Sequence, residues 1–477
     1  MSDDLEFDFD FKSILKSNWL IPSLIFAVIF FSRLPFIFAN QAVWWDESQY
    51  LLMAKHNILN TPTAGWWEGR SFFFPNLLTL TMIGGFSELG PRLLNLFMVA
   101  GISLFTYLLF FELFKKKDLA VIASIVTGFS WVIVFYSFRI LRDIHGAFFV
   151  IASNYFFIRS FNSPKRFYLH AIISGVLLSL AFLVRSTNGL IGVIYLFYVF
   201  LNYRFKPKYY AFIIGALVVF GLLSIPDTLA YGNPLYTTLI EVLYHVEADG
   251  GSQAGSPDYY ITTYFDNYLS VIALCTIPGL FFLFVKPLRK PNFFVLTTVL
   301  FYFFSYSFLT SVKEFRFLIH LTPFLVFIAV YGAYSIARLL VRDKKTALLV
   351  LILIFSYSVY ENASYGYSRL SQSSSSYAEL KSAGESIKSL GINGSVMSQS
   401  VPQLTYYSEL PVVSFPANES DLLSFVFSNN VKFVVVSLHE SSYPDYAFNL
   451  NNSIFKPFIA LPSDKPILIA YFFNESR

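Results

Sequence analysis

Charged residues are scarce in this chain, so the places where they gather carry information. The segment Trp44-Trp45-Asp46-Glu47-Ser48-Gln49-Tyr50 sets two adjacent carboxylates beneath two tryptophans. Neighbouring side chains on a helix point about 100° apart, so Asp46 and Glu47 cannot serve one target in the same way. One can face a reacting hydroxyl while the other caps a helix start. A plain N-terminal carboxylate pair with interfacial aromatics is the alternative. A second group holds Arg139, Arg142 and Asp143, and a third is Lys313-Glu314-Phe315-Arg316 with His320 one turn later. Charges beside apolar spans are costly unless paired or facing water, so snorkelling arginines with a counter-ion are one reading of the second group. Lys313 and Arg316 fall where other cations are rare, and anion binding, as to a membrane-borne phosphate, is the simplest reason for them. Arg33 and Arg185 are further candidates for that cluster. His320 either donates to an anion or is satisfied inside the bundle, and Trp66-Trp67-Glu68 reads as an interfacial anchor. Together these groups suggest one cleft that holds a phosphate and activates a hydroxyl.

The elements that must position them are apolar spans. The 477 residues are 55% hydrophobic and 13% charged, against about a quarter charged in soluble domains. Eleven blocks are long and apolar enough to predict membrane helices: 19–39, 89–113, 119–137, 144–160, 168–184, 189–203, 209–226, 269–285, 292–310, 317–339 and 346–360. The stretch 72–86 is shorter and reads as an interfacial helix. The acidic residues 1–18 are read as a cytosolic tail and the first span as retained. Alternate loops are basic, with Lys115, Lys116 and Lys117 in one and Arg338, Arg342, Lys344 and Lys345 in another, while 227–270 contains no Lys or Arg. Positive residues stay inside, so the candidate groups belong on the outer face. That face also receives the long loop with Asp227, Glu241, His245, Glu247 and Asp249. Sequons at Asn362, Asn393, Asn418, Asn451 and Asn474 agree. After a linker over 361–374, residues 375–477 alternate as a small extracytoplasmic α/β domain, with a helix over 375–390, strands over 395–398, 411–415, 431–438 and 467–472, and a helix over 421–428. A single cysteine, Cys275, excludes an intrachain disulfide. No internal repeat is apparent, which weighs against an inverted-repeat transporter.

The sequence resembles the GT-C superfamily of membrane glycosyltransferases. Asp46-Glu47-Ser48-Gln49-Tyr50 is similar to that superfamily's acidic first-loop motif. Arg142-Asp143 and Tyr231-Gly232-Asn233-Pro234 resemble the protein O-mannosyltransferase and aminoarabinose transferase group, family 39. Lys313-Glu314-Phe315-Arg316-Phe317-Leu318 followed by Pro323 looks like the mannosyltransferases of family 22. The resemblance implies inverting transfer of a sugar, a mannose or another hexose, from a polyprenyl-phosphate donor to a hydroxyl of a protein, lipid or glycan acceptor. On it, Asp46 is the general base and Glu47 positions acceptor or sugar. Arg139, Arg142, Lys313 and Arg316 bind the donor phosphate, while Asp143, Tyr50 and His320 contact substrate. No metal is required in principle, because a lipid phosphate is already a good leaving group, although neighbouring Asp and Glu could hold Mg²⁺ or Mn²⁺. Nucleic acid is not expected as a partner. The rival readings are a transporter or flippase for a lipid-linked or anionic substrate, and a non-catalytic membrane subunit whose outer domain does the work.

Overall fold

The computed structural model describes residues 19–82, 85, 88–247, 255–440, 442–463 and 466–473, with only the backbone for 245–247. The expected tail 1–18, Asp249 and the sequon at Asn474 lie outside the described residues, as do the side chains of His245 and Glu247. Up to residue 372 the chain is helical: α1 (Leu20–Arg33), α2 (Trp45–Leu59), α3 (Phe73–Met82), α4 (Leu89–Phe114), α5 (Lys117–Phe129), α6 (Trp131–Tyr136), α7 (Arg142–Asn162), α8 (Phe167–Val184), α9 (Leu190–Tyr203), α10 (Phe212–Leu223), α11 (Ile225–Tyr231), α12 (Tyr236–Glu247), α13 (Tyr264–Phe284), α14 (Lys290–Phe308), α15 (Thr322–Leu340) and α16 (Lys344–Gln372). A helix lies over each of the eleven expected spans. Six stretches among the described residues are long and apolar enough to cross a bilayer, or up to seven if α10 and α11, bent by 46°, count as one. The chain is therefore a multi-pass membrane protein.

Two expectations change. The span expected over 119–137 breaks at Ser130, where α5 gives way to α6, and the freed Trp131 amide donates to Asn362 Oδ1 at 3.2 Å. Asn362 is buried inside α16, so that sequon has no exposed amide to modify. The expected linker is in large part helix, because α16 runs without interruption to Gln372. The buried side of this last helix carries Leu351, Phe355, Ser358, Asn362, Gly366 and Leu370, mostly spaced by three or four residues, so one stripe faces the bundle along its whole length.

Beyond it lie α17 (Ala378–Ser389), β1 (Ser395–Met397), α18 (Val401–Ser408), β2 (Val412–Val413), α19 (Leu422–Ser428), β3 (Val431–Ser437), β4 (Phe455–Leu461) and β5 (Leu468–Phe473). The strands form one sheet in the order β2-β1-β3-β5-β4, parallel on the β2-β1-β3 side and antiparallel across β3-β5-β4. β3 is the centre and buries nearly every residue, as its run Val431-Lys432-Phe433-Val434-Val435-Val436 requires of a strand covered on both faces. Neither β4 nor α18 was anticipated. β4 carries Pro457 and an irregular register beside β5 at the sheet edge, where proline is tolerated.

Candidate active site

α2 begins at Trp45, so Asp46 and Glu47 occupy its first turn, and their diverging directions separate them completely. Asp46 faces a cavity. Its Oδ1 accepts from Arg70 and its Oδ2 from Arg316, each at 2.7 Å. Burial alone would raise the Asp46 carboxyl, but Arg70 and Arg316 overcome it and hold the group well below the usual carboxylate range. Arg70 lies over the Tyr50 ring at 4.5 Å and beside Trp67, and Arg316 is held from its other side by Glu314.

The cavity has a volume of about 590 Å³, within the range of small-molecule sites. Asp46, Tyr50, Arg70, Arg142, Asp143, Arg185, Glu314 and Arg316 supply its charged and phenolic wall, and Trp44, Trp45, Trp67, Tyr136, Tyr244, Phe317 and Tyr377 its aromatic wall. Each charge is paired. Arg142, the first residue of α7, bridges to Glu241 on α12 at 2.5 Å. Asp143 pairs with Arg185, which lies over Phe317 at 4.0 Å. Glu241 also accepts from the amide of Ser186 at 3.1 Å and from its hydroxyl at 2.5 Å. Four arginines thus share one space with three lining carboxylates, an arrangement that can take an anion on the arginines and hydroxyls on the carboxylates.

Four of the proposed site residues are absent from this wall. Glu47 is fully buried. Its Oε2 accepts from the Trp44 amide at 2.7 Å and its Oε1 from the Ile140 amide at 2.6 Å, so it caps α2 instead of reaching an acceptor or sugar in the cavity. Arg139 is fully buried as well, 3.7 Å from Glu47, stacked 3.5 Å from the Trp44 ring and donating to Ser373 Oγ at 3.0 Å. Lys313 donates to the carbonyls of Tyr306, Ser307 and Thr310 at 2.5, 2.8 and 2.5 Å. The last carbonyls of a helix lack partners of their own, and a lysine that answers them at the end of α14 is not placed for a substrate phosphate. His320 lies inside the bundle against Tyr302, ring to ring at 4.2 Å. Arg33 donates to Ile29 O at 3.1 Å and to Gly128 O within the helices and does not reach the cavity.

Other wall residues carried no signal in the sequence. Arg70 follows Gly69 in a polar loop, and Trp67, read as an anchor, turns into the cavity. Glu68 beside it accepts from Tyr236 at 3.0 Å. Tyr136 and Tyr377 are single aromatics among many. Among the described residues no three carboxylate, histidine or cysteine side chains gather as a metal site.

The sequence profile of the Alg9-like mannosyltransferase family matches residues 24–382. The chain belongs to that family. It is a membrane glycosyltransferase, and its match ends inside α17, so the family's segment spans the helical region and the entire cavity wall, Tyr377 included. No curated relative matches the chain by sequence. Solved structures share the fold. ArnT from Cupriavidus metallidurans bound to undecaprenyl phosphate superposes with a TM-score of 0.67 at 12% identity, over 96% of this chain and 98% of that one. The Archaeoglobus fulgidus oligosaccharyltransferase gives 0.63 at 12% identity, over 89% of this chain and 70% of that one. The mycobacterial arabinofuranosyltransferase AftD gives 0.59 at 11% identity, over 96% of this chain and 42% of that one. The Alg9-like family thus meets the GT-C architecture in this chain.

Proposed function

We propose that this Alg9-like glycosyltransferase moves a single hexose from a polyprenyl-phosphate donor to a hydroxyl acceptor, with inversion, on the outer face of the membrane. One observation supports the reading above the others: Asp46, Arg70, Arg142, Asp143, Arg185 and Arg316, spread over 270 residues of chain, line one cavity. The outward placement follows the basic loops at the opposite helix ends, with eleven spans and the C-terminal domain outside.

In the reaction the acceptor oxygen attacks C1 of the sugar and the C1–O bond to phosphate breaks, its electron pair remaining on the phosphate. Asp46 takes the acceptor proton. A carboxylate held this low is a weak base toward a resting hydroxyl. It gains force as the attacking oxygen becomes positive and as Arg316 or Arg70 turns its N–H groups toward the donor phosphate. Arg142, Arg185 and Arg316 stabilise the charge that grows on the departing lipid phosphate, and Asp143 and Tyr50 orient sugar hydroxyls. The ArnT structure holds undecaprenyl phosphate, a lipid phosphate of the class this cavity suits.

Membranes carrying the protein are supplied with labelled polyprenyl-phosphate hexoses, beside Asp46→Asn. Transfer by the native protein and none by the variant is the expected result, and equal transfer by both would reject the base. We also propose that the reaction needs no divalent ion. Activity abolished by a chelator and restored by Mg²⁺ or Mn²⁺ would overturn that part alone.

A further inference from the structure

We infer that the C-terminal domain is a positioning part of the active site, holding the helix that carries Asp46 from outside the bundle. The inference rests on the proposed role of Asp46. α18 lies across α2. Tyr406 and Tyr407 are buried in one apolar cluster with Val43, Tyr50, Leu51, Leu52, Met53 and Ala54. Both ends of α2 are tied to it. Ahead of the helix, the Val43 amide donates to Tyr407 Oη at 2.8 Å. Near the far end, Lys55 pairs with Glu409 and donates to the Tyr406 carbonyl at 3.2 Å. Glu409 in turn binds Lys388 of α17 at 2.7 Å.

The segment leading into α2 is held as well. The Gln41 amide donates to Ser374 O at 2.9 Å, and Lys381 donates to Gln41 O at 3.1 Å. The loop that delivers Arg70 also touches the domain. Gly65 has φ +87°, and a Cβ there would sit 2.9 Å from three atoms of Pro402 at the start of α18. Both sides of the Asp46–Arg70 pair therefore rest on the same short helix. Tyr377, at φ +67° just before α17, completes the cavity wall. A domain that only tethered or displayed something would not need its own helix under the general base.

The test is a charge exchange across the α2–α18 contact, with turnover and donor KM measured in detergent on Lys55→Glu, Glu409→Lys and the double variant, all carried on Lys388→Ala so that the second partner of Glu409 opposes no like charge. Each single change is expected to lower kcat by about 10- to 100-fold, the cost of a small misplacement of reacting groups, with donor KM within about threefold. The double variant is expected to return to within about threefold of the native kcat. Single variants with native turnover, or a folded double variant no better than the worse single, would overturn the inference. Should the charged variants fail to fold, Tyr407→Phe removes only the hydroxyl that receives the Val43 amide. A fall in kcat at unchanged donor KM supports positioning, and native turnover rejects it. Asp46→Asn run alongside separates the two claims, since full activity there sinks the functional reading itself.

Discussion

Two sets of charge lie on and behind the cavity wall, and they differ in what answers them. On the cavity side, Asp46, Arg70, Arg142, Asp143, Arg185 and Arg316 are answered by other side chains. Behind them, Glu47 and Lys313 are answered chiefly by backbone amides and carbonyls, and Arg139 by an aromatic ring, a serine and Glu47 at 3.7 Å. The residue types are the same. Side-chain pairs can exchange partners when a charged substrate enters, because each guanidinium has donors to spare. Groups that satisfy backbone cannot leave without exposing a helix end.

This contrast orders the expected effects. Asp46→Asn keeps a hydrogen bond to one arginine but removes the base and the charge that answers Arg70 and Arg316, so kcat falls by about 10³-fold and the melting temperature in detergent falls with the lost ion pairs. Native turnover per folded molecule of the variant would move Asp46 to the structural set. Arg142→Gln removes one cation from the wall and lowers kcat/KM by about 10²-fold; steady-state kinetics at varied donor concentration measures it, and a loss below about threefold would argue against phosphate contact. Glu47→Ala acts in the other sense. It strands Arg139 and two amides, destabilises by about 3–5 kcal/mol, and leaves turnover per folded molecule near native, so an inactive but stable Glu47→Ala would dissolve the distinction. The smallest effect is on pH. Arg70 lowers the Asp46 carboxyl, so Arg70→Gln raises it toward the ordinary range, and kcat/KM, which in the native protein holds to the acid end of the range where the protein stays folded, begins to fall there in the variant. A variant profile that stays level there would show that Asp46 is not the group titrating.

Much of the architecture was legible because membrane spans and strands write themselves as hydropathy. The eleven apolar blocks each hold a helix, and Val431 to Ser437 reads as a covered strand from its sequence alone. The site was legible only at the level of segments. That Asp46 and Glu47 could not share a target follows from helical geometry, but which of them faces the cavity depends on where α2 begins. Lys313 and Arg316 are one helical turn apart, and the loop geometry after α14 sends the first back onto carbonyls and the second to Asp46. Arg70 gave no sign and Glu241 stood only as one acid among several in a long loop, because each is defined by its partner: Asp46 is 24 residues from Arg70, and Arg142 is 99 residues from Glu241. α18 escaped notice because Val401 to Ser408 is short and polar enough to pass for a loop, although it has Pro402 in its first turn.

The uninterrupted α16 has a mechanical consequence. Its 29 residues make a rod of about 43 Å, longer than the roughly 30 Å of hydrocarbon it must cross. About a dozen ångströms therefore stand proud of the lipid as a stiff mast, with the sheet at its tip. The sheet's elevation and heading are set by helix length as well as by the α2–α18 contact, so a single extra residue near Tyr365, a turn of about 100°, would set the two against each other.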